Sequence, residues 1–311
     1  SNGHYTIGTI GGNPNSSTDD NKKMLFGHPG GGTSKTTIVV GESINEFTSS
    51  NVTYDADGSK SVSKASYDGV DVTQELSIIE NSATGRDDVV KIKYIVKNDT
   101  EYAKQVGIRI MMDTMLGGND AAPFRVNGSD VTTETVYSGS NIPQIWQAFD
   151  SATNPGVVAQ GTFYKSGDRK PDKVQFTNWG NVTSTLWDYV TQPGRSNGDS
   201  AVSITWNKDT FTSGETREFV TYYGLSELEQ NLIPPLALSV YADNKVSISN
   251  FNYDDINANV YLDNIGDGDA TDVSIKITAD NLEPKYGTSL THNYSVIKPS
   301  KSYSIPLKFI V

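Results

Sequence analysis

Asp113 and Asp120 bracket a glycine turn, TMLGGN, that ends the alternating run from Arg109, and Ala121-Ala122-Pro123-Phe124 follows it. Two carboxylates seven residues apart across such a turn fit three chemistries. As acid and base, or as nucleophile, they would cleave a glycosidic bond, with Glu134 as a further carboxylate of the same region. Together with Asn119 and backbone carbonyls they would offer hard oxygen ligands to Ca²⁺. As architecture, Asp113 would cap the turn by accepting backbone amides, as Asp does in Asx-turns. The reading adopted is a structural corner that also shapes the mouth of any cleft. Asp113, Asp120 and Asn119 are its ligand-binding candidates, and Asp113 and Asp120 its candidate Ca²⁺ ligands.

The tryptophans divide by context. Trp206 alternates within AVSITW and belongs in a core. Trp179 and Trp187 lie in FTNWGNVTSTLWDYVTQPG, an Asn/Gly/Thr-rich stretch without strand alternation. Aromatic rings in polar loops either pin the loop to a sheet or stack on sugar faces while Asn and Asp bond the hydroxyls. Trp179 and Trp187 are therefore also candidates for a ligand platform.

Other motifs are weaker. LFGHPGGGTSKTT places Thr33 and Ser34 between the last glycine and Lys35 and runs into a strand, so it is a loop and not a phosphate-binding loop. Asp267, Asp269 and Asp272 in NIGDGDATD lack EF-hand spacing and read as a solvated turn. The chain has no cysteine, which removes disulfides, thiolate metal sites and cysteine nucleophiles. A net charge of −12 argues against nucleic acid and anionic membrane partners. No apolar run is long enough to span a bilayer. The opening Ser-Asn-Gly, without initiator Met, reads as a trimmed terminus, so a signal peptide or anchor is expected upstream.

The elements that must hold these residues are strands. Val90, Ile92, Tyr94 and Val96 share a face with Lys91, Lys93 and Lys97 on the other, and Val106, Ile108, Ile110 and Met112 repeat the pattern after a polar turn. This predicts a hairpin or adjacent strand pair. Further strands are expected at 71–80, 131–137, 156–164, 201–206 and 218–223, with short helices only near Tyr189 or in 226–231. The fold class is all-β, with a large antiparallel sandwich over 1–231, a linker at 232–235 and a smaller Ig-like sandwich over 236–311.

Two resemblances sharpen this. ANVYLDNIGDGDATDVSIKITAD and VIKPSKSYSIPLKFIV resemble CARDB-type Ig-like adhesion modules, with Asn264, Gly266 and Ala270 filling the Asn-x-Gly-x-x-x-Ala pattern. That resemblance implies surface display. GRDDVVKIKYIVKN, IPQIWQAFD, FTNWGNVTSTLWDY and FVTYYGL resemble an uncharacterised domain of bacterial exported and surface proteins, with a looser likeness to the supersandwich folds of mutarotases. Mutarotase chemistry needs a histidine beside a carboxylate, and His4, His28 and His292 all fall outside the expected strand core. The expected protein is non-catalytic and extracellular or on the cell surface. It is adhesin-like, carbohydrate-binding through loops of the large domain, with a glycan, host or cell-wall ligand and no cofactor beyond Ca²⁺. The alternatives are a glycan-active enzyme and a structural spacer.

Overall fold

In a computed structural model the chain is 56% strand and 3% helix, the all-β class that the alternation predicts. The structure describes all residues except 1, 13, 15–16, 82–84, 166, 227–235, 244–247, 250–251, 254, 265–268, 299–300 and 311. The expected linker at 232–235 and Asp267 lie outside the described residues. The chain divides into two compact units, the larger formed by Ser1–Val126 and Asp130–Leu228, the smaller built on Glu229–Val311.

The larger unit contains two antiparallel sheets. The six-stranded sheet runs, edge to edge, Thr135–Ser138, Lys173–Asn178, Ser200–Phe211, Lys104–Asp113, Lys35–Val40 and Ser43–Glu46. The nine-stranded sheet is centred on Val70–Asn81, Arg86–Asn98, Thr216–Ser226 and Val158–Thr162. Alternate residues of both supply one core. Ile108, Ile110, Met112, Ile204 and Trp206 come from the first sheet, and Val72, Ile92, Tyr94, Val96 and Tyr223 from the second. Trp206 is fully buried, as its alternation requires.

The predicted hairpin is not formed. Arg86–Asn98 pairs with Val70–Asn81 and Thr216–Ser226, whereas Lys104–Asp113 pairs with Lys35–Val40 and Ser200–Phe211. The two strands belong to different sheets. Asn98 ties the crossing down: its buried side-chain amide donates to the carbonyls of Tyr102, Phe211 and Thr212, and its carbonyl accepts from the Thr100 N–H. Those bonds supply donors to backbone carbonyls on both sides of the crossing. The expected 131–137 strand is also split. Ser129–Val131 lies at the edge of the nine-stranded sheet and Thr135–Ser138 at the edge of the six-stranded one.

Lys104–Asp113 is buried on both faces from Val106 onward. Its even-numbered residues face the sandwich core. Its odd-numbered residues face outward, and Gly107, Arg109 and Met111 lie beneath the 179–191 segment. That segment starts with a single helical turn, Trp179–Val182, capped by the Asn178 side chain accepting from the Asn181 N–H. Tyr189, where a helix is expected from sequence, is not helical. It is an anchor instead, packed with Met111, Val182 and Ala201 in a small outer core that Trp179 completes.

Tight packing between neighbouring strands makes one glycine indispensable. Gly161 pairs with Trp146, and a Cβ at Gly161 would stand 2.0 Å from Trp146 Cε2. Trp146 is fully buried and stacked on Phe163 and Tyr223, so it can yield only by disturbing those contacts. Gly161→Ala is expected to destabilise the larger unit by about 1–3 kcal/mol through overpacking, read as a lower urea midpoint with an unchanged slope.

The smaller unit is a separate all-β body. Leu236–Ala242, Ile256–Asn264, Ser302–Ile310 and Glu283–Pro284 form a four-stranded sheet, and Ala270–Lys276 pairs with Thr291–Ile297. Val260, Leu262, Ile275, Ile297, Ile305 and Leu307 fill its core. Among the described residues of the chain, no helix is long and apolar enough to cross a membrane.

Candidate functional site

The outward row of the central strand ends at Asp113. Its register partner is Ala201, so Asp199 arrives two residues before that pairing. The Gly117-Gly118 hairpin returns the chain to Asp120. Leu116 and Asn119 exchange backbone hydrogen bonds (3.1 and 2.9 Å), and Gly117 takes φ +60° at the first central position, the conformation a type II′ turn reserves for glycine. The Ser200 N–H then donates to the Asp120 carbonyl at 2.9 Å. Asp113, Asp120 and Asp199 thus converge, one carboxylate oxygen of each lying within 4.8 Å of the others.

Asp113 is 2% exposed, and its Oδ1 has no hydrogen-bond partner; Asp120 Oδ1 is likewise buried and unpartnered. Burial first, then the charges of Asp199 and Asp120, push the Asp113 carboxyl up to about 7 against the lowering effect of the Thr33 hydroxyl. Burial also raises Asp120, with Lys23 pulling it back, and raises Asp199, with Asp120 adding to the shift.

The expected Asx-cap role of Asp113 is not what the corner uses. Asn119 does that work: its Oδ1 accepts from the Ala121 N–H at 2.9 Å and its Nδ2 donates to the Asp150 carbonyl at 2.8 Å. Asn119 is therefore engaged at both ends of its amide, whereas Asp113 is not tied to backbone amides.

Glu134 is placed elsewhere. It is 3% exposed and accepts from Asn181 Nδ2 (2.9 Å), the Tyr189 hydroxyl (2.8 Å) and the Gln192 N–H (2.7 Å). Burial raises its pKa, but these donors outweigh it and hold the carboxyl below its ordinary 4.5. It fastens the covering segment and is not part of the three-aspartate group.

The two tryptophans are separated. Trp179, half-buried, borders the aspartates. Its backbone N–H donates to the Asp199 carbonyl at 2.6 Å, and its Nε1–H to the carbonyl of Thr33 at 3.1 Å. Trp187 lies against Gly107, where an added Cβ would come within 2.6 Å of its Cη2. Gly107 is six residues from Asp113 on one strand, roughly 20 Å at ~3.4 Å per residue. The tryptophans do not form one platform.

Arg109 and Asp199 are the residues that sequence reasoning missed. Arg109 is 2% exposed and faces no carboxylate at hydrogen-bond distance. Its Nε donates to Ser203 Oγ, Nη1 to the Thr185 and Trp187 carbonyls and Nη2 to the Val182 carbonyl. Burial draws its pKa down to about 10. His4 Nε2 lies 3.0 Å from Glu46 Oε1, and the other carboxylate oxygen of Glu46 pairs with Lys35. His292 is in the smaller unit.

No family model matches the chain, and no curated protein matches it. Among solved structures it is similar to a polysaccharide lyase, at 11% identity and TM-score 0.38, over 89% of this chain and 35% of that one. It is also similar to a galactose mutarotase-like protein from Lactobacillus casei, at 9% identity and TM-score 0.34, over 58% of this chain and 78% of that one. A galactose mutarotase related enzyme from Lactobacillus acidophilus gives 7% identity and TM-score 0.31, over 67% and 72%. The chain spans about a third of the length of the lyase. At these scores the likeness fixes neither a fold family nor an activity.

Proposed function

We propose that the chain is a non-catalytic recognition protein of the cell surface or extracellular space, adhesin-like, whose larger unit binds a carbohydrate at the end of the six-stranded sheet. The observation that carries this reading is the position of Trp179. Its indole is held by a hydrogen bond to the Thr33 carbonyl and its backbone by Asp199, at the rim of Asp120 and Asp199, both half-buried. A fixed indole face beside polar oxygens is the arrangement that takes a sugar ring, apolar C–H surface on the ring and hydroxyls on the carboxylates. The smaller unit, in this reading, is an Ig-like module that displays the larger one.

A polysaccharide and glycan binding screen of the whole chain tests it. Trp179→Ala is expected to weaken any hit by tenfold or more, the order of one lost stacking contact, while Trp187→Ala leaves it within about twofold of wild type. Both variants are checked for a native melting curve. No binding by the wild-type chain would refute carbohydrate recognition and favour the spacer role.

A second reading, a glycan-active enzyme, has one observation in its favour. Asp113 is pushed up to about 7 beside Asp120, and the two carboxylates approach the short separation of retaining glycosidases. The burial of Asp113 weighs against it, since a general acid must reach the glycosidic oxygen and this carboxyl is 2% exposed. Release of reducing ends from a bound polysaccharide, lost in Asp113→Asn, would replace the recognition reading with this one.

A further inference from the structure

We propose that Asp113, Asp120 and Asp199 form a binding site for a divalent cation of the Ca²⁺ class. The inference stands apart from carbohydrate recognition and does not need it.

Three features carry it. The first is geometry. One oxygen from each carboxylate lies within 4.8 Å of the other two, and Ca²⁺ holds its oxygens at about 2.3–2.6 Å, so ligands around a shared ion stand up to ~5 Å apart. The second is an unmet need. Asp113 is 2% exposed, yet its Oδ1 has no partner, and the Oδ1 of Asp120 is also buried and unpartnered. A buried carboxylate oxygen without a donor is costly, and a folded chain normally supplies one. The third is the lack of an ion-pair partner. None of the three is in an ion pair with a described Lys, Arg or His side chain. Lys23, whose charge reaches Asp120, is itself exposed.

The three residues come from separate parts of the chain that the fold holds rigidly. Asp113 ends the central strand, Asp120 follows the Gly117-Gly118 hairpin, and Asp199 precedes Ser200–Phe211. The Asp120 and Asp199 backbones are fixed by the Ser200 and Trp179 N–H groups. The depth of Asp113 favours Ca²⁺ over Mg²⁺, because Mg²⁺ gives up its water shell reluctantly and demands a near-ideal octahedron.

The test uses the whole chain, first treated with chelator. CaCl₂ at about 10 mM, ten- to a hundredfold above dissociation constants usual for extracellular Ca²⁺ modules, is expected to raise Tm by roughly 3–10 °C. MgCl₂ at the same concentration is expected to give less. Tb³⁺ should bind saturably, with luminescence excited through Trp179, and Ca²⁺ should displace it. Asp113→Asn and Asp120→Asn are expected to keep a native melt without metal, since a neutral isostere relieves repulsion, and to lose at least tenfold in Ca²⁺ affinity. Asp269→Asn, in the smaller unit, is the control for diffuse binding to an acidic surface and should respond as wild type. The proposal is overturned if Ca²⁺ leaves the wild-type melt unmoved. It is equally overturned if the shift survives undiminished in both Asp113→Asn and Asp120→Asn, which would make the effect nonspecific.

Discussion

Arg109→Met is expected to lower the stability of the larger unit by about 3–5 kcal/mol and its Tm by roughly 10 °C or more. Met fills most of the volume of the Arg stem, so the loss is one of hydrogen bonds and not of packing. In the native protein the guanidinium donates to Ser203 Oγ and to the carbonyls of Val182, Thr185 and Trp187. With Met in place those acceptors stay buried without a donor, or the segment that carries them lifts into water. The second outcome is the cheaper, so amides of 182–191 should lose hydrogen-exchange protection while those of 106–112 keep it. Arg109→Lys should recover only part of the loss, because one ammonium cannot reproduce a planar fork. A Met variant that melts with wild-type Tm and full protection at 182–191 would show that the segment is held by other contacts.

Glu134→Ala should cost about 3–4 kcal/mol, because Asn181, Tyr189 and the Gln192 N–H all lose their common acceptor. The same carboxylate gives the segment a pH dependence. Its pKa in the folded chain lies below the ordinary 4.5, so the stability it contributes is fully present above 4.5 and is lost as pH falls through the folded value. Urea midpoints from pH 7 down to pH 3, compared between wild type and Glu134→Gln, isolate this contribution. The gap between the two should be constant above pH 5 and close below 4.5. A gap that stays open to pH 3 would mean that Glu134 does not titrate in that window.

The strands were legible because alternation is a local property. The Val90–Val96 and Val106–Met112 series each state which face is apolar: Ile92, Tyr94, Val96 and all of Val106, Ile108, Ile110 and Met112 are buried, and Val90 is partly buried against the same core. What alternation does not contain is the identity of the sheet. Two apolar-faced strands joined by a short turn can pair side by side or face each other across a core. Here the strands take the second arrangement, with Asn98 bonding three carbonyls where the chain passes between sheets. The candidate site shows the same division. Asp113 and Asp120 stand out in sequence because a hairpin joins them. Asp199 enters through the pairing of Asp113 with Ala201, a contact set by register and by nothing near Asp199 in the chain. Arg109 was hidden because an outward position on a strand ordinarily faces water, and in this sheet a non-strand segment covers it. The capped turn at Trp179 did have a local signal in Asn178, a favoured helix N-cap followed by Trp-Gly-Asn-Val.

The interleaving of the two sheets also sets how the chain must fold. The central strand joins Ile38 to Ile108 and Ile110 to Ile204, contacts about 70 and about 90 residues apart. Between those partners the chain leaves the six-stranded sheet to build most of the other one. Loop closure must therefore come before much of the reward, the situation that slows folding of β-rich chains. During synthesis the Lys104–Asp113 strand has one of its two neighbours and an open edge until residue 211 has emerged, and the 179–191 cover has no complete sheet to lie on. The three aspartates are among the last groups to meet, so an ion that they shared would bind the finished sheet and slow its unfolding more than it would speed its assembly.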